Sequence, residues 1–270
     1  MIPNVLSIAG SDPSGGAGIQ ADLKAISANG AFAMAAVTAL TAQNTQGVRG
    51  IQLVPPEFVH SQIKAIFDDI RVDAIKIGMI ANAEIAQAVA DALTGFHIPV
   101  VLDPVMIAKG GAPLLQPSAV AVVRDTLLPI ATVLTPNLPE AAHILGATEA
   151  TTRDAMEAQG RALCALGPEA VLMKGGHLKG STSPDCMIIL DDITWLDGAR
   201  VSTRNTHGTG CTLSSALAAQ LAKTGDIPSA VAAAKAYVSM AIAHADQLDV
   251  GSGHGPTHHF GTLNISATEQ

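Results

Sequence analysis

The stretch PVVLDPVM, residues 99–106, is an aliphatic run too short for a helix, and it ends on an aspartate and a proline. A strand that plunges into a core and surfaces on a polar loop has this form. Runs of the same kind recur on both sides of it: VLSIAG (5–10), AAVTAL (35–40), AIKIGM (74–79), TVLTPN (132–137) and AVLMKGG (170–176). The segments between them carry helical periodicity and predict helices over 17–29, 56–70, 82–93, 118–128, 138–145 and 152–166. Strands alternating with helices predict an α/β fold around a mostly parallel sheet. Residues 185–203, DCMIILDDITWLDGARVST, break the rhythm with two strand-like runs about an acidic pair, a hairpin added at a sheet edge. Two more helices follow, one from Cys211 and one over 228–247. No linker, repeat or change of composition divides the chain, which reads as one domain over 1–270 whose last residues, roughly 15, form a polar tail.

Apolar residues make up 48% of the chain and aromatic residues only 3%, so small and branched aliphatic side chains must fill the layers. A formal charge of −8 leaves no general basic field for nucleic acid or an anionic membrane, and a small molecule is the expected partner. The start MIPNVLSIAGSD lacks the basic, long apolar form of a signal peptide, and no apolar run reaches membrane-spanning length. A cytoplasmic location is the expectation. Three widely spaced cysteines, Cys164, Cys186 and Cys211, fit neither a disulfide framework nor a CxxC zinc site.

In a parallel sheet, ligands bind beyond the carboxyl ends of the strands. Here those ends read GSDPSGGAG, TAQNTQG, GMIA, DPVMIAKGG, TPNLPE and KGGH. The first fits neither the dinucleotide pattern GxGxxG nor the phosphate loop GxxxxGK[ST]. Its glycines, Gly10 among them, admit a ligand to the backbone, and Asp22 either points a carboxylate at that ligand or answers the helix dipole. Gln43 and Asn44 are either turn formers or amides for a heteroaromatic ring edge. Asn137 and Glu140 have the spacing of a capping box, or of groups that hold a hydrated magnesium beside phosphates. Asp103, at a buried strand end, needs a partner or a cation. Lys174, followed by two glycines, is placed to lie against a phosphate.

THGTGC, residues 206–211, is the strongest element. Gly208 and Gly210 flank Thr209, and the N–H groups of 208–211 can form a nest for an anion at a helix start. A thiol at that start, Cys211, is expected to ionise more easily than its reference pKa of about 8.5. Positioning and charge neutralisation of this kind point to phosphoryl transfer.

Taken together, AGSDPSGGAGIQADLK, ALTAQNTQGV, KIGM, LDPVM, LTPNLPEA, LMKGGH, NTHGTGCT and GPTHHF resemble, in order and nearly end to end, the hydroxymethylpyrimidine and phosphomethylpyrimidine kinases of thiamine biosynthesis, in the ribokinase-like superfamily. The resemblance implies a three-layer α/β/α sandwich, ATP and Mg2+, and a homodimer. It also implies that Gln43 and Asp22 contact the pyrimidine, with Gly10, Met79 and Val105 lining its pocket. Lys174 with Thr206, Gly208, Thr209 and Gly210 would hold ATP phosphates, and Asp103 and Glu140 would lie near the metal. Cys211 and Lys174 would be the catalytic pair, Cys211 standing where most sugar kinases of the superfamily carry an aspartate base. The expected reactions are phosphorylation of 4-amino-5-hydroxymethyl-2-methylpyrimidine and then of its monophosphate. The rivals are a pyridoxine or pyridoxal kinase, a non-catalytic pyrimidine sensor and, more remotely, an NAD-dependent oxidoreductase.

Overall fold

A computed structural model describes residues 1–106, 114–116 and 119–262. The rest of the DPVMIAKGG loop and the end of the tail lie outside the described residues. The chain runs β1 (Asn4–Ser11), α1 (Gly18–Ala28), β2 (Phe32–Asn44), β3 (Gly47–Leu53), α2 (Pro56–Phe67), β4 (Ala74–Ile77), α3 (Ala83–Leu93), β5 (Val100–Leu102) and α4 (Ala119–Val122). It continues through β6 (Val133–Leu134), α5 (Leu138–Leu145), α6 (Arg153–Cys164), β7 (Ala170–Lys174), β8 (Asp185–Ile189), β9 (Asp192–Leu196), α7 (Thr209–Thr224) and α8 (Ile227–Ala243).

These strands form one sheet in the order β3-β2-β1-β4-β5-β6-β7-β8-β9. The six from β2 to β7 in that order are parallel. β3 is antiparallel to β2 at one edge, and the β8–β9 hairpin closes the other. Aliphatic side chains divide between the two faces. One core joins Val59 and Ile63 of α2, Ile85 and Val89 of α3, Ile144 of α5 and Leu163 of α6 to the sheet. The other joins Ile26 of α1, Leu213 and Leu217 of α7 and Val231 and Val238 of α8. The fold is thus the expected three-layer α/β/α sandwich.

Two local readings differ. The helix predicted over 118–128 is α only to Val122, then passes through a π turn (Val123–Leu127) and a 3-10 turn (Leu128–Ile130). Pro129 cannot continue an α-helix, and the wider turn lets Val123, Leu127 and Leu128 all reach the core. β3, GVRGIQL, has no apolar run to announce it, because an edge strand need bury little.

The polar tail also begins later than its composition implies. His254 N–H donates to the Thr45 carbonyl, and Thr257 and His259 are buried against α7. Thr212 gives its hydroxyl proton to the Gly208 carbonyl at 2.8 Å, so at 3.1 Å it can only accept from the His259 Nε2–H. That bond keeps a proton on Nε2, and burial, with Lys24 and His258 nearby, pulls the His259 pKa down to about 4, so the ring is neutral near pH 7. Between about pH 4 and the unfolded value near 6.5 the unfolded chain binds the extra proton, so this contribution to stability is present above that window and lost as pH falls through it. His259→Gln should flatten the pH dependence of the unfolding free energy across that window, as measured by urea titration. An unchanged slope would show that other groups govern it.

Candidate active site

Side chains close several helix starts: Asn82 caps α3, Thr152 caps α6 and Asp226 caps α8, while α2 opens on Pro55 and Pro56 without one. α1 and α7 have no side-chain cap, and their starts meet. The turn before α7 is held by Gly208, whose φ of 76° is left-handed and whose added Cβ would lie 1.8 Å from the Gly16 carbonyl oxygen. Only glycine allows that approach. At the second and third positions of α7, the Gly210 and Cys211 N–H groups lie in the first turn, where a helix supplies no carbonyl partner, and Thr209 folds its hydroxyl back to the Thr206 carbonyl at 2.8 Å. Of the N–H groups at 208–211, that of Thr209 points back to the Thr206 carbonyl, which leaves the Gly210 and Cys211 N–H groups at the helix start to face an anion.

Two buried ammonium–carboxylate pairs lie under it. Lys174, at the end of β7, donates to Asp103 Oδ1 at 2.8 Å and stands 3.8 Å from Glu140 Oε2. The Asp103 carboxylate also receives Ser214 of α7 at 3.3 Å. An added Cβ at Gly210 would come within 3.4 Å of both Asp103 Oδ2 and Lys174 Nζ, so the lysine reaches the α7 start. Burial would lower the Lys174 pKa, but Asp103 and Glu140 hold it well above the ordinary lysine value.

Glu140 completes a capping box with Asn137, accepting its N–H at 2.7 Å while Asn137 Oδ1 accepts the Glu140 N–H at 2.8 Å. The box leaves Glu140 beside Lys174. Burial pushes its pKa up to about 7, with Asp103 adding to the rise and Lys174 opposing it. Asp103 and Glu140 are the two carboxylates a hydrated magnesium would need if phosphates supplied the rest of its shell. Among the described residues no group of three or more His, Cys, Asp or Glu side chains forms a closed metal cage.

The second pair is Lys76 in β4 with Asp22 in α1, both side chains at 0% exposure. Lys76 Nζ lies 2.9 and 2.8 Å from the two Asp22 oxygens, which also accept from Ser215 at 2.8 Å and Ser7 at 2.6 Å. The resemblance implies that Asp22 faces the pyrimidine. In this structure its carboxylate is instead enclosed and fully hydrogen-bonded within the protein.

Cys211 stands between these pairs, with the Gly18 N–H of α1 donating to its sulfur. Burial pushes the thiol up to about 11; Lys76 pulls it down, and Asp22 and Asp103 push it up again. The two helix starts do not overcome burial, which corrects the expectation of an easily ionised thiol. At neutral pH the resting side chain is S–H.

Gly10, Met79 and Val105 come together. An added Cβ at Gly10 would be 3.0 Å from the Met79 sulfur, and Val105 packs on the Met79 cluster with Leu53 and Leu114. Gln43, from the end of β2, meets the anion loop through His207, a residue that sequence reasoning leaves among the ordinary histidines. His207 Nε2 is 2.7 Å from Asp12 Oδ2 and 3.3 Å from the Gln43 amide, while the Thr41 hydroxyl touches the other end of that amide at 3.1 Å. Thr41 already donates to the Ser11 carbonyl at 2.9 Å. One arrangement satisfies every group: the imidazole N–H is shared by Asp12 and the Gln43 carbonyl, and the Gln43 NH2 donates to Thr41. Asp12 accepts this bond and two more from Ser14, which together hold its pKa below the usual value despite burial.

Beyond Thr206 an open groove of about 1180 Å³ is lined by Ser181, Arg200, Thr203, Asn205 and Asp246. Arg200 donates to the carbonyls of Gly176, Leu178, Gly180 and Thr182, which ties down the loop after Lys174.

A mostly parallel sandwich with a glycine nest at a helix start, over a lysine held by two carboxylates, defines a small-molecule kinase of the ribokinase-like type. The chain belongs to the phosphomethylpyrimidine kinase family, which it matches over residues 12–258. It is 54% identical to the hydroxymethylpyrimidine/phosphomethylpyrimidine kinase of Salmonella typhimurium, over 95% of this chain and 97% of that one. The phosphomethylpyrimidine kinase structure from Clostridium difficile superposes with a TM-score of 0.79 at 41% identity, covering 89% of this chain and 99% of that one. An ADP complex of Bacillus subtilis pyridoxal kinase superposes with a TM-score of 0.90 at 35% identity, covering 98% and 100%.

Proposed function

We propose that the chain phosphorylates 4-amino-5-hydroxymethyl-2-methylpyrimidine and then converts the monophosphate to the diphosphate, with ATP as donor, for thiamine diphosphate synthesis. The observation that carries the reading is the meeting of loop 206–211, Lys174, and the wall of Gly10, Met79 and Val105 at one end of the sheet in a chain of this family. The wall and Gln43 receive the ring. The nest N–H groups and Lys174 bear on the transferred phosphoryl group, and the nucleotide lies along the groove past Thr206. Asp103 and Glu140 would hold Mg2+, which neutralises phosphate charge when bound. The protein acts in the cytoplasm as a homodimer; the open edge strand β3 and the exposed Leu40, Ile51 and Phe58 support the dimer, and sedimentation of a monomer at micromolar concentration would refute it.

In the first transfer the hydroxymethyl oxygen forms a bond to the γ-phosphorus as the bond from that phosphorus to the leaving ADP breaks, and Cys211 as thiolate takes the hydroxyl proton. Since the resting thiol titrates near 11, the thiolate fraction rises tenfold per pH unit below that value. The first-step kcat should therefore climb steeply from pH 6 to 9, and Cys211→Ala should remove the climb and cost about 10²-fold or more. The second acceptor is already an ionised phosphate, so its rate should lose far less. Equal losses in both steps would remove the base role.

Backbone similarity to a pyridoxal kinase keeps a second substrate in view, because that ring also presents a hydroxymethyl group. An assay with ATP and Mg2+ on hydroxymethylpyrimidine and on pyridoxal, following mono- and diphosphate separately and repeated with excess chelator, tests the whole reading. No turnover of the pyrimidine would overturn it.

A further inference from the structure

Among the described residues Lys76 and its partner Asp22 are charged side chains with no exposure, and neither the substrate wall nor the phosphate nest uses the lysine. A lysine in a central parallel strand costs desolvation that an aliphatic residue would not. The fold nevertheless surrounds it. An added Cβ at Gly78 would lie 2.6 Å from Lys76 Nζ, so even the next turn of chain is cut back to make room. Asp22 binds the ammonium with both oxygens, and Ser7 and Ser215 complete the carboxylate.

The position of Ser215 is informative. Cys211 and Ser215 are four residues apart on α7, hence stacked on one face of the helix. Ser215 touches Asp22, so the thiol one turn nearer the helix start stands over the same pair. Asp22 also has no lone pair left for a ligand in this arrangement.

Resting on the functional reading above, we propose that Lys76 is a positioning residue for the first phosphoryl transfer: held by Asp22, its ammonium is the counter-cation of the Cys211 thiolate. The thiol releases its proton to water. The thiolate then takes the hydroxymethyl proton as the new O–P bond forms and the bond to ADP breaks, which restores S–H and accounts for the one proton the reaction yields.

The groups facing Cys211 are Lys76 from β4, Asp22 from α1, Asp103 beyond β5 and Lys174 at the end of β7. Burial would strip the proton from Lys76, yet Asp22, Cys211 and Asp103 together keep it charged. Of the charges around the sulfur, Lys76 acts on it most strongly and favours the thiolate, while Asp22 and Asp103 oppose it.

The test is the pH at which Cys211 reaches half-maximal iodoacetamide reactivity, followed on its own peptide by mass spectrometry in the full-length protein. Asp22→Asn leaves the thiolate as the main anion beside Lys76 and should move the midpoint down by a pH unit or more. The double variant Lys76→Met, Asp22→Asn removes both charges while the new amide keeps partners for Ser7 and Ser215, so it should stay folded and move the midpoint up by a unit or more. In that variant the first-step kcat should fall at least tenfold with KM unchanged, and the second step should stay within threefold. An unmoved midpoint in the double variant, shifts of the same sign in both, or equal losses in the two steps would overturn the assignment. Wild-type protein that turned over neither acceptor would defeat the functional reading instead, while the midpoints would still decide the charge pair.

Discussion

Lys174→Met is expected to lower kcat/KM for both phosphoryl transfers by about 10³-fold, the loss typical of removing a fixed charge from a transferring phosphoryl group. Two effects add. The phosphate loses a cation that reaches the α7 start, and Asp103 loses its 2.8 Å partner while Glu140 stays close by. Both carboxylates then face the incoming phosphates uncompensated. The same substitution should destabilise the fold by a few kcal/mol, because it breaks a largely buried pair from one side. Lys174→Met with Asp103→Asn should recover much of that stability and little of the activity. Chemical denaturation and single-turnover assays on each acceptor separate the two effects. A loss below tenfold in both steps would mean that Lys174 is structural only.

Gly208→Ala is expected to abolish the anion nest, with a fall of about 10²-fold or more in both transfers. A left-handed residue with a Cβ costs roughly 1–2 kcal/mol on conformation alone. The greater penalty is steric: at 1.8 Å from the Gly16 oxygen, the methyl must push loop 206–211 away from the first loop. That displacement also pulls His207 from Asp12 and Gln43, so KM for the pyrimidine should rise together with the fall in kcat. The variant would keep its sheet and its far-ultraviolet circular dichroism. Wild-type kinetics would mean that the nest N–H groups do not bear on phosphate.

Much of the architecture is legible in the sequence because the strands are short aliphatic runs and the helices have strong punctuation. The helix predicted over 138–145 matches α5 residue for residue, with Asn137 and Gly146 as its stops. THGTGC and LMKGGH announce the anion loop and its lysine, since glycine placed beside a cation at a strand end has few other uses. What escapes is long-range pairing. AIKI reads as an apolar strand although a lysine at its centre demands a carboxylate somewhere, and spacing cannot tell which of several acids answers it. For Asp22 the sequence leaves two readings, a ligand contact or an answer to the helix dipole, for the same reason: a helix-start acid gives its position but not the residue it faces. His207 sits inside the most informative motif, yet its partner Asp12 is distant in sequence. Cys211 is judged in the sequence by its helix end, whereas burial, which depends on the closed tertiary structure, decides its proton.

The short segment 254–259 has a consequence for how the protein is made. It joins the β2–β3 turn, the anion loop and α7, and His207 is bracketed by it, giving its N–H to the Gly255 carbonyl and taking the Thr257 N–H on its own. β1 and the Asp12 loop are synthesised long before this segment, and they must wait for it before the surfaces they serve exist. In the order of synthesis the strands and the helices α1 to α8 all precede this segment, so the links it makes are the last to become available. A chain ending just before residue 254 is expected to keep its sheet by far-ultraviolet circular dichroism and to lose turnover of both acceptors, and wild-type turnover would show that these links are dispensable.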